Sequence, residues 1–245
     1  MALTDNLVAY WDLSEASGTR ADGLGSNNLT DNNTVTGTTG PGSHNASLFT
    51  HANNESLSHT DNATLSMGDI DFTACVWIKF TTLILYTNIF GQWNSSTNQR
   101  SWTVYYDDNT FLTFGASSNG TIETFLSNNN TGAITTGVWY FVVVWHDSVG
   151  NTMNFQVNEG TVKSASYTTG VFDSSAVFNF GVHDGNTNYQ DGAMAMAGLW
   201  KRILTAGERT TLFNSNNALN YAEILALAGD PVGSIRPRTT VSIVP

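Results

Sequence analysis

The chain has 245 residues, of which 40% are hydrophobic and only 12% are charged, and its formal net charge is −11. Nucleic acid and anionic membranes carry dense negative charge, so this acidic balance argues against both as partners. Cys75 is the only cysteine, so no intrachain disulfide can form. Its place in an apolar run favours a core or sheet-face position.

The N-terminus is the first feature along the chain. It has no basic stretch followed by an apolar run, so we predict no signal peptide and synthesis in the cytoplasm. No segment approaches the roughly 18 uninterrupted apolar residues that a membrane span needs, so no membrane insertion is predicted.

Short β-branched and aromatic runs separated by Gly, Asn, Asp and Ser clusters extend from Leu7 to about Leu204. This pattern is typical of an all-β antiparallel sandwich, here with roughly twelve strands. Residues 14–45 have few large apolar side chains, so we expect long surface loops there with one short strand near Leu29.

Two apolar runs predict how each of two strands is covered. The segment Phe72–Phe80 alternates, which predicts one face toward the core and one mixed face. The segment Val138–Trp145 is apolar without alternation, as expected for a central strand covered on both faces. Asn119–Gly120 and Asn158–Gly160 have the composition of tight turns between strands.

Helix signals occur only near the C-terminus. Thr205 and Glu208 have the spacing of a capping box, so a short helix is expected from Ala206. A second helical stretch, Tyr221–Ala228, precedes the proline at Pro231.

The predicted organisation is therefore a sandwich over residues 1–214, a short helical segment over residues 215–229, and an extended arm over residues 230–245. The arm contains prolines, apolar β-branched residues and two arginines, Arg236 and Arg238, on an otherwise acidic protein. We expect it to dock on another subunit or on a larger assembly.

Four segments together resemble the laminin G-like, or concanavalin A-like, lectin/glucanase superfamily, particularly its bacterial and phage members. They are Leu7–Leu13, Asp71–Lys79, Gly137–Val142 paired with Phe155–Gly160, and Gly198–Thr205. The resemblance implies a jelly-roll β-sandwich. Members are usually glycan-binding, adhesive or structural, so it constrains the fold more than the function.

The glucanase branch of that superfamily places two glutamates and an aspartate at alternating positions of one strand. No such neighbourhood surrounds the glutamates of this chain, which are Glu15, Glu55, Glu123, Glu159, Glu208 and Glu223. There is also no Gly-X-Ser-X-Gly elbow. We therefore predict that the protein is not an enzyme, and glycoside hydrolysis is the least favoured of three functions.

Many members of the family hold Ca²⁺ with Asp and Asn oxygens near the rim of the sandwich. The resemblance places Asp22 at the first-loop position of such a site. The closing strand reads Ala195–Met196 where many relatives have paired aspartates, so one acidic contribution is missing. Calcium at Asp22 is therefore the only cofactor predicted.

Sugar sites combine an aromatic ring with amide and carboxylate groups. Two segments offer this combination, the strand pair around Trp93 and the loop that begins at His183. The residues predicted to bind a ligand are Trp93, Asn94, Trp102, His183, Asp184, Asn186 and Tyr189.

Two hypotheses of different classes follow. The first is a non-catalytic, lectin-like binding module, displayed on a virion surface to recognise glycans. The second is a phage structural protein, a capsid decoration or fibre component that uses the sandwich for assembly alone. The predicted partners are accordingly a glycan or another virion surface protein, with oligomer formation through residues 230–245.

Overall fold

A computed structural model describes residues 1–107, 109–130, 132–183 and 188–229. Within these residues the predicted all-β sandwich is confirmed, with fifteen strands against the roughly twelve expected. The strands are β1 (Leu7–Trp11), β2 (Thr30–Asn32), β3 (Thr36–Thr39), β4 (Asn45–Phe49), β5 (Ser56–His59), β6 (Phe72–Phe80), β7 (Thr87–Asn94), β8 (Gln99–Tyr106), β9 (Leu112–Ser117), β10 (Glu123–Asn128), β11 (Trp139–Asp147), β12 (Thr152–Val157), β13 (Lys163–Ser166), β14 (Phe178–Phe180) and β15 (Gly192–Trp200).

The strands form two antiparallel sheets. The eight-stranded sheet has the order β13-β12-β11-β6-β15-β4-β3, with β1 also paired to β15. The seven-stranded sheet has the order β10-β9-β8-β7-β14-β5-β2. Strand β15 changes partner along its length, because its first half pairs with β4 and its second half with β1.

The principal core fills the space between the two sheets. Trp11 of the eight-stranded sheet stacks on Phe178 of the seven-stranded sheet, with ring centroids 5.4 Å apart. Phe72 and Trp102 meet across the same gap at 5.5 Å. Burial of these rings supplies the apolar area that drives the two sheets together.

A second hydrophobic cluster covers the outer face of the eight-stranded sheet. The helices α1 (Ala206–Phe213) and α2 (Tyr221–Ala228) pack there, and Trp77 stacks on Phe213 at 5.6 Å. The mixed outer face predicted for β6 is thus largely buried. Cys75 lies in this cluster, and burial raises the pKa of its thiol to about 12, which keeps the thiol protonated.

Both helices begin with a capping box. The predicted box of α1 is confirmed, since the Thr205 hydroxyl accepts a hydrogen bond from the Glu208 amide at 3.2 Å. Glu208 also pairs with Arg202 at 2.7 Å, which ties the start of α1 to the end of β15. The predicted span of the second helix, Tyr221–Ala228, is confirmed.

The turn and loop predictions fared differently. Asn119–Gly120 lies in the β9–β10 hairpin, and Gly120 has the positive φ of +83° that such a turn requires. Residues 14–45 contain two short strands, β2 and β3, instead of the single one expected. The buried Arg20 holds this region together by donating to the Ser47 hydroxyl and the Val35 carbonyl, both at 2.7 Å.

The predicted docking arm, residues 230–245, lies outside the described residues. Of the helices that the structure does describe, none combines the length and the apolar character of a membrane-spanning helix.

Candidate functional site

A groove of about 450 Å³ lies on the outer face of the seven-stranded sheet. It is built on the strands β7, β8 and β10, and residues from the β6–β7 connection and from the described part of the β14–β15 connection also line it. Its lining residues are Tyr86, Trp93, Ser95, Thr103, Tyr105, Glu123, Phe125, His183 and Asn188.

The register of the strands brings these side chains together. Thr103 pairs with Gly91 on one side and with Gly115 on the other, and Gly115 pairs in turn with Phe125. A Cβ at Gly115 would lie 2.9 Å from the Phe125 ring, so the glycine lets the ring lie down across the sheet. The absence of a side chain at Gly115 therefore leaves room on the sheet surface for the Phe125 ring, which borders the groove.

Four aromatic rings, those of Tyr86, Trp93, Tyr105 and Phe125, form the apolar part of the groove. Phe125 lies 6.2 Å from Trp93 and 5.7 Å from Tyr105, measured between ring centroids. Trp93 is only 5% exposed, whereas Phe125 is 45% exposed and Tyr86 is 47% exposed. Trp93 therefore supports the wall, and Phe125 and Tyr86 present most of the aromatic surface that a ligand can reach.

His183 is the central polar group. Its ring lies 6.2 Å from Trp93 and 6.1 Å from Tyr105, and its Nε2 is 2.9 Å from the Thr103 hydroxyl. Burial among these groups lowers the pKa of His183 to about 4 because the charged form loses its hydration. The imidazole is neutral at physiological pH.

Glu123 contributes the carboxylate of the groove. Arg100 Nε lies 2.6 Å from Glu123 Oε1, and Arg100 Nη1 donates to the Gly120 carbonyl at 2.8 Å. The turn at Gly120 thus fixes the guanidinium, and the guanidinium fixes the carboxylate.

Comparison with known proteins identifies the family. A family model described as the concanavalin A-like lectin/glucanases superfamily matches residues 51–208, which is more than half of the chain. The chain belongs to this superfamily.

Solved structures agree on the fold of this superfamily member. The binding domain of Paraclostridial Mosquitocidal Protein 1 superposes with a TM-score of 0.69 at 17% identity, covering 86% of this chain and 52% of that one. Domain 4 of AbnA, an arabinanase from Geobacillus stearothermophilus, gives 0.64 at 18% identity, covering 84% of this chain and 97% of the domain, which was solved with arabinotriose.

The botulinum neurotoxin serotype D binding domain gives a TM-score of 0.65 at 11% identity and covers 86% of this chain and 52% of that one. The chain thus spans about half the length of these two binding domains. Among curated proteins, none matches the sequence significantly.

Two of the residues predicted from the sequence, Trp93 and His183, lie together in the groove. Trp102 was wrongly predicted, because its side chain is 0% exposed and packs in the core against Phe72 and Phe90. Trp102 pairs with Gln92 and lies on the same face of the sheet as that residue, so Trp93, the next residue along β7, faces the opposite side.

The remaining predicted residues have other positions. Asn94 holds the β7–β8 turn, since its Oδ1 accepts from the Ser96 amide at 3.0 Å and from the Ser96 hydroxyl at 2.7 Å. Tyr189 is half-buried outside the groove lining, and its carbonyl lies 2.7 Å from His51 Nδ1. Asp184 and Asn186 lie outside the described residues.

Several groove residues were not predicted, most importantly Phe125 and Glu123. Both belong to β10, where Leu126 faces the core and its neighbour Phe125 therefore faces outward. An aromatic residue in the outward register of an edge strand was the available signal.

Asp22, the predicted calcium ligand, organises its own loop. Its carboxylate accepts backbone N–H bonds from Tyr10 at 3.0 Å, Leu24 at 3.1 Å, Ser26 at 3.2 Å and Asn27 at 3.1 Å. In the part of the chain that the structure describes, no group of three or more His, Cys, Asp or Glu side chains is arranged to hold a metal. The donors around Asp22 are N–H groups, so its surroundings do not fit a cation that requires oxygen ligands.

Proposed function

We propose that this protein is a non-catalytic carbohydrate-binding module that holds a sugar in the groove on the outer face of its seven-stranded sheet. The observation that carries the proposal is the exposed Phe125 ring beside Glu123, Thr103 and His183. An aromatic face packs against the C–H side of a sugar ring, while carboxylate, hydroxyl and imidazole groups bond to its hydroxyls.

The dimensions and composition of the groove support this function. Its volume of about 450 Å³ lies within the range of small-ligand sites, roughly 300–1,000 Å³. Its lining mixes aromatic rings with a few polar groups, as such sites do. Domain 4 of AbnA, which shares the fold, was solved with arabinotriose.

The carboxylates argue against hydrolysis. Glycosidases of the usual kind need two carboxyl groups on either side of the scissile bond. Among the described lining residues, Glu123 is the only carboxylate, and Arg100 holds it in an ion pair. We therefore propose binding without cleavage.

A glycan array followed by calorimetry tests the proposal. Wild type is expected to bind a subset of glycans, and Phe125→Ala is expected to weaken that binding by roughly tenfold because stacking area is lost. Ile122→Ala is the matched control, since Ile122 is an exposed apolar residue outside the groove lining. Binding that survives Phe125→Ala, or cleavage of a bound polysaccharide, would overturn the proposal.

A second candidate function, assembly into a virion surface, is favoured by an apolar patch. Met1 and Leu227 are exposed and line a cavity of about 340 Å³, to which Ala228 also contributes, and Leu225 is an exposed apolar residue of the same helix as Leu227. Residues 230–245 follow directly, and their sequence contains Val241, Ile243 and Val244. Such a β-branched run can pair with a sheet edge of another chain.

Deletion of residues 231–245 tests this candidate. The truncated protein is expected to keep its fold and its glycan binding but to lose its oligomer or its attachment to a particle. Size-exclusion chromatography with light scattering measures the oligomer. Identical masses and identical particle binding with and without these residues would contradict the assembly role.

A further inference from the structure

A chain of hydrogen bonds behind the groove begins at Asn88. Its amide nitrogen donates to the Val182 carbonyl at 2.8 Å. A backbone carbonyl can only accept, so this contact fixes which end of the amide is nitrogen. The amide oxygen therefore faces Thr103, whose hydroxyl donates to it at 2.7 Å.

The direction of the Thr103–Asn88 hydrogen bond determines which ring nitrogen of His183 carries the hydrogen. The Thr103 hydroxyl has one hydrogen, and that hydrogen is used in the bond to Asn88. His183 Nε2 lies 2.9 Å from the same oxygen, so Nε2 must donate its own hydrogen. A neutral imidazole has one N–H group, which leaves Nδ1 as an acceptor with a lone pair.

The network is protected from water. Asn88 and Thr103 are buried, and the rings of Trp93 and Tyr105 flank the imidazole. Because burial lowers the pKa of His183 to about 4, Nδ1 remains an acceptor until the pH falls toward that value.

The charges around the groove are few. The titratable groups that share the lining with His183 are Tyr86, Tyr105 and Glu123, and Arg100 is paired with Glu123. No lysine or arginine is among the described lining residues. An anionic ligand would therefore meet a carboxylate and a neutral acceptor, and the Arg100 guanidinium beside Glu123 is already paired with it.

We propose that His183 is a specificity-determining residue, whose Nδ1 accepts a hydrogen bond from a hydroxyl of an uncharged sugar, and that the groove discriminates against acidic glycans. This inference rests on the proposed carbohydrate-binding function. The orientation of the acceptor is determined by Asn88 and Thr103, which act as positioning residues.

The tautomer is tested first, without any ligand. Nitrogen NMR of histidine-labelled protein at neutral pH is expected to show a protonated Nε2 and an unprotonated Nδ1 for His183. Thr103→Ser should preserve this tautomer, whereas Thr103→Val removes the acceptor and should mix the two forms. A protonated Nδ1 in wild type would overturn the inference. A Thr103→Val variant that shows the same single tautomer as Thr103→Ser would also overturn it.

The selectivity is tested on an array of paired glycans, each printed in a neutral and a sialylated form. Wild type is expected to bind neutral members only. His183→Gln moves the amide group away from the position of Nδ1 and should weaken binding about tenfold. His183→Asn keeps an acceptor near that position and should weaken it less.

The outcomes separate the two proposals. Equal or stronger binding to sialylated members, or equal losses in the Gln and Asn variants, overturns the inference while carbohydrate binding stands. An array on which wild type binds no glycan overturns the proposed function, and with it the role of His183 toward sugars, even when NMR finds the expected tautomer.

Discussion

The outer faces of the two sheets differ in what covers them. On the eight-stranded sheet, outward rings such as Trp77 and Trp200 are buried beneath α1, α2 and the N-terminal residues. On the seven-stranded sheet, the outward ring of Phe125 is about half exposed and borders a groove. An outward aromatic ring is thus a packing residue where the chain continues over it and a candidate ligand contact where the groove leaves it open.

The two outer faces also differ in what their polar groups contact. On the covered face, the Trp200 indole donates to the Leu3 carbonyl at 2.7 Å and the Tyr10 hydroxyl donates to the Leu219 carbonyl. Burial raises the pKa of Tyr10 well above its usual value. The covering segments therefore satisfy these buried groups, as buried polar atoms require. In the groove, Glu123 and His183 line a surface that a ligand can reach.

The largest expected effect separates the two faces directly. Trp77→Ala removes a ring that is 1% exposed and stacked on Phe213, so the free energy of unfolding is expected to fall by about 3–5 kcal/mol. Phe125→Ala, on the other face, is expected to cost less than about 1 kcal/mol. Urea unfolding of both variants measures the difference. Equal losses would show that the two faces are packed alike.

Strand positions could be predicted from the sequence where the local hydrophobic pattern agrees with the packing of the folded chain. The uninterrupted apolar run at Val138–Trp145 predicted a strand covered on both faces, and β11 lies mid-sheet with its residues largely buried. The burial of the outer face of β6 was missed. Its outward residues alternate with core residues, and the helices that cover them are more than a hundred residues away in sequence.

The groove was harder to predict because it depends on pairing between distant strands. Trp93 and Trp102 have similar surroundings in sequence, and the pairing of Trp102 with Gln92, the residue before Trp93, is what places the two tryptophans on opposite faces. Phe125 reaches the groove because Gly115 lies beneath its ring, which no local pattern records. The set of side chains that meet on one face is decided by the register between strands, which is a property of the assembled sheet.

The next largest effect is expected at Asp22, whose carboxylate accepts from four backbone amides and the Asn27 side chain. Asp22→Ala leaves these donors without their acceptor and is expected to cost about 2–4 kcal/mol. Melting temperatures measured with calcium and with chelator should be equal for wild type. A rise with calcium that disappears in Asp22→Ala would restore the metal site predicted from the sequence.

The smallest effect is expected at the start of α1, which forms part of the cover over Trp77. Thr205→Ala removes the hydroxyl that caps the Glu208 amide, and loss of such a cap costs about 1 kcal/mol. Thr210→Ala is the matched control, because Thr210 is an exposed residue within the same helix, where alanine has the higher helix propensity. Hydrogen exchange should accelerate in α1 for the first variant and not for the second.

Glycan binding should be unchanged in both variants, since α1 lies on the opposite sheet from the groove. Weakened glycan binding in Thr205→Ala would show that the cover and the groove are energetically coupled through the core, which the separation of the two faces does not predict.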